Sequence, residues 1–315
     1  MKKNLRLTLA LALGMATTTF AQDWSVDSRT RVNMSGDNDQ FTTEQRARVG
    51  MTFGGDDWAV HASTNATYEL GVTGSFNAEV YEAYATANVM GYADVTIGRQ
   101  ALEFGSGAII GANQWSATGQ TMDAATFSYD SDMADLSFVV AKRNDGAGYD
   151  GSSWAVNAAK EMGGIGFNVL YTSGTVNETN VTAMGVDATY SVMGADLSLS
   201  YNSNGGDLAA DDENMMVIGA SYGVSDDLTV RAARTTYGED GFSSAHGNIG
   251  GWLTHGNMGF LNAGDEDMAF GGDYNMGDFT IGATMHTVTN EADAAFERNV
   301  TEFNLGYTMG DNTSF

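Results

Sequence analysis

The chain has 315 residues, and its 40 acidic against 14 basic side chains leave a net charge of −26. So acidic a surface repels a phosphate backbone and argues against a nucleic-acid partner. With no Cys in the chain, a disulfide scaffold, a thiol nucleophile and a thiolate metal site are all excluded.

The first residues carry Lys2, Lys3 and Arg6, then an apolar run over 7–15, then Thr19-Phe20-Ala21. This is the pattern of a secretory signal peptide, with cleavage expected after Ala21 and a single domain over 22–315. Removing those three cations leaves 11 of the 14 basic residues. No later stretch is long and apolar enough to predict a transmembrane helix.

From residue 24 onward the period is two, not 3.6. Residues 58–70 show it: Trp58, Val60, Ala62, Thr64, Ala66 and Tyr68 alternate with His61, Ser63, Asn65, Thr67 and Glu69. The pattern predicts sixteen strands, at 24–35, 41–53, 58–70, 79–89, 93–104, 120–129, 135–143, 153–161, 165–175, 181–192, 195–204, 214–223, 228–237, 268–276, 279–288 and 300–309. Eighteen strands is the alternative count. The chain has no Pro, as expected of one that is nearly all paired strand, because Pro removes a ladder donor.

Short turns such as Met90-Gly91, Met162-Gly163, Met193-Gly194 and Met276-Gly277 alternate with longer acidic, Gly-rich connections. Short turns at one end and long loops at the other predict an all-β, antiparallel transmembrane barrel, with periplasmic turns and extracellular loops. Its apolar face points to lipid. Its polar face, with His61, Asp187 and Asp196, lines water. A dry interior would make such charges costly.

The densest charged feature lies on the first two strands, where Asp27, Arg29 and Arg31 share one face and Glu44, Arg46 and Arg48 another. With Arg231 and Glu302 they are the expected pore-lining charges. The strip either orients anionic solutes across the pore or is a ladder that relieves like-charge repulsion.

The stretch over 93–129 holds an uncharged Gly-rich loop, 105–119, carrying Ile109, Ile110 and Trp115. It is expected either to fold inward as a constriction or to form an outer lid. Gly98-Arg99-Gln100, then Ile110-Gly111 and Trp115, then Gly119-Gln120-Thr121-Met122-Asp123-Ala124 resemble the signature of the alginate-export family of outer-membrane porin barrels. The resemblance implies passage of oligosaccharides or uronates through a monomeric barrel, often of 18 strands. Sixteen-stranded general porins often form homotrimers instead.

Arg99 shares parity with Val95 and Ile97, the lipid side, and Asp123 with Phe127. The two are expected to pair and to anchor the loop. A lone Arg facing lipid is costly. Hence either Gly98 marks a bulge that turns Arg99 inward, or the pair sits near the outer rim.

His246-Gly247-Asn248-Ile249-Gly250 repeats as His255-Gly256-Asn257-Met258-Gly259, which reads as external loop more readily than as a metal site. The acidic loops are solvated or bridge cations to lipopolysaccharide. No Gly-x-Ser-x-Gly motif is present. The composite expectation is a channel for ions and small hydrophilic solutes, selected by width and local charge. No enzyme activity, cofactor or metal is expected. A plugged structural or adhesive barrel and a barrel hydrolase are the alternatives.

Overall fold

Alternation of polar and apolar side chains, with no proline and few helix-forming runs, leaves the chain one economical way to satisfy its backbone, which is a continuous antiparallel ladder. The computed structural model describes residues 21–34, 41–114, 116–143, 151–176, 178–244 and 261–307. The signal-peptide stretch over 1–20, Trp115, the His repeat over 246–259 and the C-terminal tail lie outside them.

Sixteen strands form one sheet in chain order. They are β1 (Ala21–Met34), β2 (Phe41–Gly55), β3 (Trp58–Glu69), β4 (Asn77–Val89), β5 (Ala93–Gln100), β6 (Met122–Tyr129), β7 (Asp135–Arg143) and β8 (Gly151–Met162), then β9 (Ile165–Val176), β10 (Thr179–Val192), β11 (Ala195–Gly206), β12 (Asn214–Gly223), β13 (Leu228–Tyr237), β14 (Asp265–Met276), β15 (Phe279–Asn290) and β16 (Glu297–Tyr307). Every pair is antiparallel between sequence neighbours. Among the described residues, β1 pairs only with β2 and β16 only with β15, so each keeps one unpaired edge.

The even-to-odd connections are all short, two to five residues each. Met90 and Gly91 have φ of 57° and 75°, and Met193 and Gly194 have 51° and 81°. Two successive positive φ values give the turn whose twist matches that of the flanking strands. The odd-to-even connections run longer, except the two residues between β9 and β10.

The outer face is apolar. Val26, Val49, Val60, Ile97, Phe127, Phe138, Val156, Phe167, Leu199, Ile218, Phe270, Ile281 and Phe303 all stand exposed on it. Aromatic side chains gather near the short turns, where Phe53 meets Trp58 at 5.7 Å and Phe279 meets Tyr307 at 4.6 Å between ring centroids. A second band lies toward the long loops, where Trp154 and Tyr171 are 5.4 Å apart. Two aromatic bands flanking an exposed apolar belt are the marks of a lipid-facing surface.

The inner face is polar only in part. Ala124, Val139, Ala141, Ala155, Leu170, Met215 and Val288 point inward and pack with Ala108, Ile109, Ile110, Phe242 and Leu261 from the connections. The expectation of a uniformly polar lumen is therefore corrected. Toward the long loops, the wall from β6 to β15 holds an apolar cluster that the connections fill.

The strand expected over 93–104 is also shorter. It leaves the sheet after Gln100, because Leu102 and Phe104 turn to pack against that cluster. The Ala101 N–H then bonds the Glu82 side chain on β4, at Oε1, at 3.1 Å.

Candidate functional site

The connection over 101–121 is built to cross the interior of the sheet. Internal hydrogen bonds hold its shape: Phe104 N–H to Ile110 O at 3.1 Å and Gln120 N–H to Ala112 O at 2.6 Å. A glycine near each end lets it touch a wall. Gly105 has φ of +56°, and a Cβ there would stand 1.9 Å from Asp187 Oδ2 on β10. Gly119 has φ of +79°, and its Cβ would stand 2.9 Å from the Tyr81 ring on β4. Neither position tolerates a side chain, by dihedral or by space.

On the Gly119 side the loop is held by the strip of cations. The register places Asp27 opposite Arg48, Arg29 opposite Arg46 and Arg31 opposite Glu44, all on the inner face. Arg29 donates to Gln114 O and Ser116 O, each at 2.6 Å. Arg48 donates to Asn65 Oδ1 at 2.7 Å, Gln114 Oε1 at 3.0 Å and Thr118 O at 3.0 Å. Its guanidinium also lies 3.3 Å from the centre of the Tyr81 ring, close enough for a cation–π contribution. Asn65 donates to Thr118 O at 2.8 Å, and Gln114 donates to the Tyr81 hydroxyl at 2.6 Å. Charged donors on backbone carbonyls make the stronger class of hydrogen bond.

Arg46 bonds Asp27 at 2.6 Å and is nearly enclosed, and Arg31 lies 4.0 Å from Glu44. Arg29, Arg31, Glu44, Arg46, Thr67 and Glu69 line a cavity of about 230 Å³.

On the far side Ser106 N–H donates to Asp187 Oδ2 at 3.0 Å, and Ser200 on β11 bonds Ser106 through their hydroxyls at 3.0 Å. Ile109 and Ile110 sit in the apolar cluster, and Ser244 donates to Ile109 O at 2.6 Å. One loop thus touches β1, β2 and β4 at one end and β10 and β11 at the other, so the sheet wraps around it.

No protein-family model matches the chain, and no curated protein sequence matches it either. Solved structures do. Pseudomonas aeruginosa OpdL superposes with a TM-score of 0.68 at 11% identity, covering 92% of this chain and 87% of that one. Pseudomonas aeruginosa OccK8 (OprE) gives 0.64 at 11% identity, covering 93% and 89%. A mutant of the Rhodopseudomonas blastica porin gives 0.56 at 11% identity, covering 90% and 99%. The chain has the porin fold.

Within the porin fold, the expected charges fall at distinct places. Arg231 contacts Asp273 and donates to Thr284 Oγ1 at 2.8 Å on the inner face of β13 to β15. Glu302 also faces inward, 4.0 Å from His286, which bonds Asp267 at 2.8 Å.

Arg99 and Asp123 do pair, through two hydrogen bonds of 2.8 and 2.9 Å, but not where an inward bulge would put them. The ladder runs unshifted from Gly98 to Arg99 against both neighbours, and Arg99 lies opposite Ala83 and Asp123 on the outer face. Gly98, with φ of +134°, is there because a Cβ would strike Ala83 O at 2.2 Å. The register shift lies instead between Ser63 and Thr64, where β4 carries Tyr81 as the extra residue and points it inward.

Arg99 stands six residues past the start of β5, as Tyr171 and Tyr201 do past the starts of β9 and β11. The pair is therefore level with the upper aromatic band. The groups that hold the loop are Arg29, Arg48, Asn65, Tyr81 and Asp187. Sequence reading picked out both arginines as pore-lining charges and not as loop anchors. It missed Tyr81, and it noted Asn65 and Asp187 only as members of a polar face.

Proposed function

We propose that this protein is an outer-membrane channel for passive diffusion of ions and small hydrophilic solutes, with the loop over 101–121 as its constriction. The observation that carries this reading is the position of that loop. It is bonded at one end to the inner faces of β1 and β2 through Arg29 and Arg48, and at the other to Asp187 on β10. A loop pinned across a lumen narrows it, and charges on the walls then select among the solutes that fit.

The porin fold, the exposed apolar belt and the signal-peptide pattern support a place in the outer membrane. Lipid and lipopolysaccharide are its surroundings there, as a monomer or a homotrimer. The resemblance to alginate-export barrels rests on residues 98–124, and the cationic strip suits a carboxylate-bearing sugar. The acidic mouth draws cations toward the pore by field focusing.

The second reading is a plugged barrel. It is favoured by the apolar cluster of Ile109, Ile110, Phe242 and Leu261 inside the sheet. Planar-bilayer recording in a potassium chloride gradient separates the two. The channel reading expects stable stepwise conductance with a cation-selective reversal potential. Silence supports the plug, and an anion-selective reversal potential contradicts the acidic-mouth argument.

A further inference from the structure

Beneath the loop, on the short-turn side, the wall from β8 to β11 has a character of its own. Asn168 lies directly opposite Asp187, Asp187 opposite Ser200, and Asn157 opposite Leu170, one inward position from Asn168. Asn157 is 5% exposed. The Oδ1 atoms of Asn157, Asn168 and Asp187 are all enclosed and meet no hydrogen-bond donor among the described residues. Enclosed acceptors in a folded protein are normally satisfied, so three on adjacent strands call for a donor or a cation to meet them.

The surroundings point the same way. Ser106 N–H fixes Asp187 through Oδ2, leaving Oδ1 for another partner. The described inward side chains from β6 to β12 include Asp135, Glu161, Asp187 and Asp196 but no Lys or Arg. A cavity of about 470 Å³ opens there, lined in part by Gly105, Ser106, Lys160, Asn168, Asp187 and Ser200, with the Lys160 ammonium held at Ser131 O, 3.0 Å away.

We propose that this wall is a binding subsite for a monovalent cation, an alkali ion or a primary ammonium group, held between the loop and the β9–β10 wall. The donor set fixes the class. One carboxylate with neutral amide and hydroxyl oxygens balances a single positive charge. Soft metals need His or Cys, and hard divalent ions draw more carboxylates. Among the described residues no three His, Cys, Asp or Glu stand close enough to hold such a metal. Because Asp187 also seats Ser106, cation binding and loop position share one residue. The inference rests on the channel reading only in taking the lumen to be wet.

The test is anomalous scattering from crystals of the mature protein soaked in rubidium chloride. A rubidium peak in contact with Asp187 Oδ1 and Asn168 Oδ1 is expected, and it should vanish in Asp187→Asn. No peak in the wild type, or one that survives Asp187→Asn, overturns the proposal. Asn168→Leu, which leaves the loop's bond to Asp187 in place, should weaken the peak if the amide is a ligand. A full peak there removes Asn168 from the site. Soaking with methylammonium chloride divides the ligand class: displacement of rubidium admits an ammonium group, and an undisturbed peak overturns that half. The density is read without current, so a conducting protein with no peak loses the subsite and keeps its channel. A silent protein with a peak does the reverse.

Discussion

Arg48 ties the loop to two strands at once. Its guanidinium meets Asn65, Gln114 and Thr118 and covers the Tyr81 ring. A hydrogen bond to a charged group contributes about 1.5–3 kcal/mol. Arg48→Ala should therefore shift the docked loop toward release by about 2 kcal/mol, roughly thirtyfold. Single-channel traces of that variant should show larger mean conductance and added open-state noise, whereas traces like the wild type's would deny Arg48 this role.

Arg99 and Asp123 behave differently because they face outward at the level of the aromatic band. Asp123→Ala leaves the arginine unpaired near the membrane boundary, where a cation costs about 0–1 kcal/mol. A small fall in the thermal midpoint of heat-modifiable gel migration is expected, with conductance and selectivity unchanged. A change in selectivity would put the pair in the lumen after all. Parity already placed Arg99 on the outer face. The inward alternative arose from the cost of a lipid-facing charge at mid-depth, and sequence alone does not give depth.

At the scale of elements, the loop and its cluster are the device that divides this interior. Ile109 and Ile110 are each about 4% exposed and anchor the tip among Val139, Ala155 and Leu170. Truncating a buried isoleucine costs about 2–5 kcal/mol. The double substitution Ile109→Ser with Ile110→Ser should free the tip, raise single-channel conductance and leave the strands folded. Unaltered conductance would mean that the tip narrows nothing.

The strands themselves were legible, since a period of two survives whatever the sheet does next. β7, β12 and β13 match the residues expected. The end of β5 was not legible, because Leu102 and Phe104 continue the alternation while the backbone turns into the interior. Nor was the loop's seat. Arg29 and Gln114 stand 85 positions apart, and Ser106 and Asp187 stand 81 apart. No local pattern links them. The inward turn of Tyr81 depends on a register shift that is a property of two strands together.

For the whole molecule the governing fact is the inversion of the usual arrangement, with an apolar surface outside and charges within. A sheet of this kind that closes on itself leaves no ladder edge facing lipid. The walls inside are unlike each other, with cations on β1 and β2 and oxygen-bearing groups from β7 to β11. On the channel reading, a solute passing between them meets a transverse field.

Adjacent residues of β16 test this inversion most directly. Glu302 faces inward and Phe303, 81% exposed, faces outward. The chain has no native cysteine, so each can be replaced alone. In planar bilayers, a charged, water-borne thiosulfonate reagent should reduce the current of Glu302→Cys and leave Phe303→Cys untouched. Modification of Phe303→Cys from water with Glu302→Cys inert would mean that the two faces are reversed, and the account would fail.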